Sequence, residues 1–383
     1  MNNQENDKMQ VAFIGGGVNS VVGSAHYAAI NLDNSFELVA GFFSRDKDIN
    51  SETAVNYKVS SDRVYNNLED LIKYEKKNID AIIVLTPTSL HTSHVIDLLK
   101  NGIPVISEKA LAASASDIMK IKNMMKRNNG FLSVIYNYLG YPMVRELKNI
   151  IETGKLGKVN HIQVEMPQEG FIRVNPKGEP IIPQNWRLSD NHVPTISLDL
   201  GVHLHMLIKY LVTEIPLNVF ALSESIGNFS SIIDNVNCLI EYSNNITCNM
   251  WYSKIAIGQR NGMKIRVYGK QGSAEWLQEN PEVLKLADSS GHRWTLDRGN
   301  DEVEISNKNR YTRFKVGHPA GFIEAFANYY ADIANSFQKF KMGQSEFLTE
   351  CFGVEEALEG TQLFESIQRS SKSKLWEKVA LNN

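Results

Sequence analysis

Five short apolar runs in the first 137 residues constrain this chain more than any other feature. They are VAFIG (11–15), FELVAGFFS (36–44), DAIIVLTP (80–87), PVISEK (104–109) and FLSVIYN (131–137). Most are apolar throughout, without the alternation of a strand that has one wet face, so they read as strands buried on both sides. Helical patterns stand between them. Residues 66–77 open on Asn, carry acids early and lysines late, and 89–102 stop at Gly102, the charge order and the terminal glycine that a helix favours. A further helix is expected over 114–129. Buried strands alternating with helices predict a parallel sheet covered on both faces, a doubly wound α/β domain.

The pattern changes after 137. A helix is expected over 141–154, ending at Gly154, and an alternating strand over 159–166. Residues 167–196 are rich in Pro, Asn and Gln and read as a loop of a length that is often functional. A helix follows over 199–211. From 215 to 305 short alternating strands dominate (LNVFALSES, VNCLIEYS, ITCNMWYS, MKIRVYG, SAEWLQ), with Gly269 and Gly272 framing a hairpin turn. Helices return over 319–338 and 348–369. The expected organisation is the doubly wound domain over 1–137, then an α+β domain over 138–383 with a large, mostly antiparallel sheet.

At roughly 150 residues per domain, 383 residues also predict two domains. Forty Lys and Arg against 43 Asp and Glu give a net charge of −3, without the basic excess of a nucleic-acid binder. No apolar run approaches the ~18 residues of a membrane span, and MNNQENDKMQ offers no hydrophobic signal core. The three cysteines (238, 248, 351) form no CxxC pair, so neither a disulfide framework nor a zinc knuckle is expected. A reducing cytoplasm is the expected location.

Gly15 and Gly17 follow the first strand directly. Such a turn lets backbone approach a pyrophosphate at a helix N-terminus. The third position of GxGxxG is Ser20 and the next glycine is Gly23, so the loop is longer than usual; a plain strand–helix turn is the alternative. At the end of the second strand stand Phe43, Ser44, Arg45 and Asp46. A hydroxyl followed by a guanidinium suits a 2′-phosphate, so the reading is NAD(P) leaning towards NADP, against a merely solvated arginine.

Asp199 and His203 are four apart in a helical stretch and so share a face. An Asp beside a His can stabilise its charged form, and His is a suitable base near neutral pH. Lys109 ends a parallel strand, where α/β proteins bind ligands, and its ammonium can stabilise a developing oxyanion. Trp186 and Arg187 suit a polyhydroxylated ligand by stacking and forked hydrogen bonds, or else anchor the loop. His205 is expected to be structural, His94 solvated, and His26 packed in the first helix. Asp199, His203 and His205 lack a further ligand at helical spacing, so no metal is expected.

Several segments in order resemble the Gfo/Idh/MocA family of oxidoreductases, sugar and inositol dehydrogenases with a Rossmann domain and an α/β substrate domain. They are the glycine turn ending Gly23-Ser24-Ala25-His26, Thr86-Pro87 with His91 (TPxxxH), Glu108-Lys109 (EKP), Asn137 followed by GKLGKV, Trp186-Arg187, and Asp199–His203 (DxGxH). The resemblance implies cofactor contacts at Gly15, Gly17, Ser20, Ser44, Arg45, Thr86, Pro87, His91, Glu108 and Lys109. It implies substrate contacts at Asn137, Trp186, Arg187 and His203, and catalysis by Lys109, Asp199 and His203. It also implies a homo-dimer or homo-tetramer joined through a sheet face. Ala110 replaces the family's Pro, and Thr195-Ile196-Ser197 stand where a GG pair is common. The function expected is hydride transfer between NAD(P) and a secondary alcohol of a sugar, nucleotide sugar or inositol. Redox-assisted sugar hydrolysis or isomerisation, and non-catalytic cofactor-dependent sugar sensing, are the alternatives.

Overall fold

The computed structural model describes residues 8–381 except 345 and 349. The chain forms two compact units. The first begins with β1 (Met9–Gly15), α1 (Val21–Leu32), β2 (Phe36–Phe42), α2 (Lys47–Asn56), α3 (Leu68–Glu75), β3 (Ala81–Leu85), α4 (Thr88–Lys100), β4 (Val105–Glu108), α5 (Ala115–Arg127) and β5 (Leu132–Ile135). All five strands are parallel, in the order β2-β1-β3-β4-β5. Every residue of β3, β4 and β5 is buried, as strands covered on both faces require. The strand order reverses between β1 and β3, so the ligand crevice of such a sheet lies beyond the C-terminal ends of these strands. Helix α2 was not among the expected elements. It buries only Asn50, Thr53 and Ala54, too few apolar residues to print a helical period. It depends instead on its cap: Asp46 accepts hydrogen bonds from the amides of Asp48 (2.9 Å) and Ile49 (3.2 Å).

The second unit is built on α6 (Pro142–Glu152), β6 (Val159–Pro167), α7 (Val202–Val212), β7 (Pro216–Glu224), β8 (Asn235–Tyr242), β9 (Ile246–Ser253), β10 (Lys264–Gly269), β11 (Gly272–Leu277), β12 (Val283–Asp288) and β13 (Arg293–Asp297). With β14 (Glu377–Lys378) they form a nine-stranded sheet ordered β13-β12-β11-β10-β6-β9-β8-β7-β14. Only β6 and β9 pair in parallel; the other neighbours are antiparallel. Along β8 buried and exposed residues alternate almost without break, so one face of the sheet is core and the other is wet. The wet face holds a hollow of about 450 Å³ whose lining includes Phe220, Leu222, Leu239 and Trp251. The expected strands are present, and β12 and β13 extend the sheet beyond them.

The chain then returns to the first unit with α8 (Phe322–Lys341), and α9 (Val354–Ser373) follows. Residues Tyr138–Gly140 and Phe322–Leu358 group with the nucleotide-type sheet rather than with the second unit, unlike the division expected at 137/138. The reason is close packing. A Cβ on Gly140 would lie 1.9 Å from the Ala325 carbonyl oxygen, so only glycine lets α8 settle there. Asn328 Nδ2 donates to Gly140 O at 2.8 Å, and Tyr329 Oη donates to Val134 O on β5 at 2.9 Å.

Candidate active site

The first unit carries a candidate cofactor site that begins at the glycine turn. Gly15 and Gly16 both have positive φ, and a Cβ on Gly15 would lie 2.8 Å from the Leu85 carbonyl. Gly23 is tighter: its Cβ would stand 2.1 Å from Gly16 O. Helix α1 therefore seats directly on the turn, backbone to backbone. Ser20 caps it, its Oγ accepting from Gly23 N at 3.4 Å and its own amide donating to Gly17 O at 2.7 Å. Tyr57 Oη donates to Gly16 O at 3.0 Å. The first turn of α1 carries no acid, and Val21 and Val22 are exposed. Such a turn, opening onto a helix N-terminus, fits the pyrophosphate of a dinucleotide. Beyond β2, Ser44 Oγ accepts from Asp46 N at 3.1 Å, and Arg45 is exposed.

Two histidines of α4 organise the end of β3. His91 is buried, with Nε2 2.6 Å from Thr86 O and Nδ1 2.7 Å from Ala110 O. Both ring nitrogens thus face backbone, and His91 ties the loop after β3 to the one after β4. Burial holds its ring below the usual histidine range, while the two carbonyls pull the other way. His94, expected to be solvated, is half-buried with Nδ1 3.2 Å from the Thr86 hydroxyl. Lys109 lies between Glu108 and Ala110, and the Lys109–Ala110 peptide bond is cis. Glu108 Oε1 is 3.1 Å from Nε2 of the buried His26. Asn137 follows β5 in a tight turn, buried, and its Nδ2 has no hydrogen-bond partner among the described residues, as for a donor reserved for a ligand.

The second unit has its own group of candidate residues, at the start of α7. Ser197–Gly201 is a π-helical turn, closed by Val202 N donating to Ser197 O. The regular helix begins at 202 rather than 199, so Asp199 occupies a widened turn of the kind found at functional sites, and His203 lies just inside α7. Both are buried. Asp199 Oδ2 is 2.8 Å from Lys254 Nζ and 3.4 Å from Arg187 Nε. Lys254 is buried directly after β9, and its Nζ also lies 3.4 Å from Gln168 Oε1. An ammonium taken from water is tolerable only when so paired. Lys254 had no place in the sequence reading; its one signal is a lysine directly following an alternating apolar strand. Trp186 is 42% exposed, its Nε1 donates to Gln184 Oε1 at 2.9 Å, and Arg187 stacks on its ring. His205 is buried against Phe364, 3.5 Å from Glu359, as a structural residue would be. No group of three His, Cys, Asp or Glu able to hold a metal occurs among the described residues. No described helix is long and apolar enough to cross a membrane.

Comparison with known proteins gives the family of the chain. Residues 9–136 match the oxidoreductase family with an NAD-binding Rossmann fold, and residues 144–275 match the GFO/IDH/MocA C-terminal domain. The chain belongs to the Gfo/Idh/MocA family of oxidoreductases. It is 27% identical over 372 residues to the uncharacterized oxidoreductase YfiI of Bacillus subtilis (strain 168), covering 94% of each chain. It is 24% identical over 277 residues to glucose-6-phosphate 3-dehydrogenase of the same organism, covering 70% of this chain and 75% of that one. Among solved structures, the inositol dehydrogenase homolog from Azotobacter vinelandii, complexed with NADH and myo-inositol, superposes with a TM-score of 0.88 at 26% identity, covering 97% of each. The parallel sheet and its glycine turn are the family's NAD-binding domain.

One acid–base property of the second unit is testable. Burial, then the charge of Lys209, push the His205 ring down to about 3, so it is neutral in the fold near neutral pH. The unfolded chain takes up this proton below about pH 6.5. Between about 6.5 and 3 the unfolded state therefore binds more protons, and stability falls as pH falls, by up to ~1.4 kcal/mol per pH unit from this group. His205→Leu is expected to flatten the acid side of the stability curve. Urea unfolding of parent and variant at several pH values checks this; parallel curves contradict it.

Proposed function

We propose that this chain is an NAD(P)-dependent dehydrogenase acting on a secondary alcohol of a sugar, nucleotide sugar or inositol. The observation that carries the reading is the buried Asp199 carboxylate, paired with Lys254 and Arg187 four residues before His203. A dinucleotide would be held by the glycine turn and by the Thr86 and Glu108–Lys109 strand ends. When bound, its nicotinamide supplies the acceptor or donor of hydride. His203 takes the hydroxyl proton, Asp199 stabilises the charge this creates, and Lys109 donates to the oxygen as negative charge develops. Trp186 and Arg187 offer a stacking face and a fork for hydroxyl groups, and Asn137 a donor. The names of the relatives support the substrate class: one is a glucose-6-phosphate dehydrogenase, another an inositol dehydrogenase homolog.

The same reading includes three finer assignments. Ser44 and Arg45, with Arg45 exposed at the end of β2, favour NADP over NAD. The hollow on the wet face of the large sheet, where Phe220, Leu222, Leu239 and Trp251 lie among polar residues such as Gln163 and Asn237, favours a second copy of this chain, giving a homo-dimer or homo-tetramer. The three cysteines are buried and form no disulfide, in keeping with a reducing cytoplasm.

Three measurements test these assignments. With a sugar or inositol substrate found by nicotinamide absorbance, His203→Ala and Lys109→Ala are each expected to lose ~10²–10⁴-fold in kcat; near-parental rates in both variants would exclude the mechanism. Arg45→Asp is expected to move the affinity ratio towards NAD(H), and a parent that binds NAD(H) far more tightly than NADP(H) contradicts the Arg45 assignment. Light scattering at micromolar concentration is expected to give a multiple of 43.2 kDa; a lone monomer counts against the sheet-face contact.

A further inference from the structure

His26 is left unused by the reaction above, yet its surroundings are unusually specific. It lies one turn beyond Gly23, the residue that seats α1 on the glycine turn. Its ring is fully buried, edge-on to Phe326 at 4.8 Å between ring centres. Nδ1 is 2.8 Å from Tyr330 Oη on α8, and Nε2 is 3.1 Å from Glu108 Oε1 at the end of β4. One imidazole therefore joins three elements of the first unit: the helix of the phosphate turn, the strand that ends at Lys109, and the returning helix α8.

The two sides of the ring meet different partners. Burial, reinforced by Glu108, holds the Tyr330 phenol well above its ordinary range, so it keeps its hydrogen. The phenol is placed to give that hydrogen to Nδ1, while Nε2 lies 3.1 Å from the Glu108 carboxylate without the alignment of a hydrogen bond. The ring is thus anchored by Tyr330 and packed against the Glu108 carboxylate, which limits where that carboxylate can lie.

The topology says which part of a ligand that position serves. In a doubly wound sheet the pyrophosphate sits at the first turn, and the adenosine ribose is read at the end of β2. The other half of the dinucleotide lies across β1 from β2, over β3 and β4. We propose that His26 is a positioning residue for the nicotinamide ring of the cofactor, acting through the Glu108 carboxylate. The proposal rests on dinucleotide binding by the first unit and not on the substrate assignment.

Calorimetric titration of the full chain with two ligands tests it: NADH, and ADP-ribose, which lacks the nicotinamide. His26→Phe keeps the ring packing and removes the contact to Glu108. It is expected to raise the Kd for NADH about tenfold, the scale of one charge-assisted hydrogen bond, and to leave ADP-ribose within about twofold. Glu108→Gln should reproduce this pattern without touching the helix packing, and the double variant should be no worse than either single one. His26→Gln, which retains an N–H for the carboxylate, should recover most of the loss. Equal weakening of both ligands means that His26 only holds α1 in place, and unchanged NADH affinity means that it does nothing for the cofactor; either result overturns the proposal. No sugar enters this experiment, so an error in the substrate assignment leaves its outcome intact. A parent chain that binds neither ligand removes the cofactor reading and this proposal together.

Discussion

A carboxylate taken out of water must bring a partner with it, and this constraint shapes both units. Glu108 ends β4 against His26, and Asp199 sits in its π turn against Lys254 and Arg187. The same requirement shapes irregular backbone elsewhere. Glu146, fully buried on α6, accepts from the amides of Glu304, Ile305 and Ser306 and so fixes the segment after β13. Asp190 accepts from Thr195 N and Ile233 N, holding the approach to the π turn. The segments without a hydrophobic period are ordered by acceptors that would be costly to leave unmet.

The histidines make the same point from the basic side. His26 faces a carboxylate and a phenol, His91 faces two carbonyls, and His205 is buried against Phe364 with Glu359 3.5 Å away. One residue type thus yields a carboxylate anchor, a tie between two loops and a neutral packing group. Nothing in the residue itself distinguishes these roles; the groups brought around it by the fold do.

This bears on what could be read from the sequence. The parallel sheet was legible because β3, β4 and β5 are apolar on both faces, and the large sheet because its strands alternate. Helix α2 was not, since its stability comes from the Asp46 cap rather than from an apolar stripe. The π turn was hidden because an i→i+5 bond has no residue signature, so Asp199 read as the first turn of an ordinary helix. Lys254 was missed because its partners are distant in sequence: Asp199 is 55 residues away. His94 was misplaced on the solvent side because its partner, the Thr86 hydroxyl, lies eight residues back in a preceding loop. The return of α8 to the first unit was likewise unreadable, because the fit of Gly140 to Ala325 is a property of two distant backbones.

That return has a consequence for biosynthesis. When the ribosome has made residue 140, all five strands of the first unit exist, and so does the glycine turn. The helix that carries Tyr330 to His26 and covers Gly140 is still almost two hundred residues away. The nucleotide-type unit, begun first, therefore stays incomplete while residues Tyr141–Gly321, most of the second unit, are synthesised. Domains made in one continuous stretch can fold in order of emergence; this one cannot close until the chain is nearly complete. A nascent chain truncated before Phe322 carries every glycine of the phosphate turn and still lacks the helix that packs beneath it.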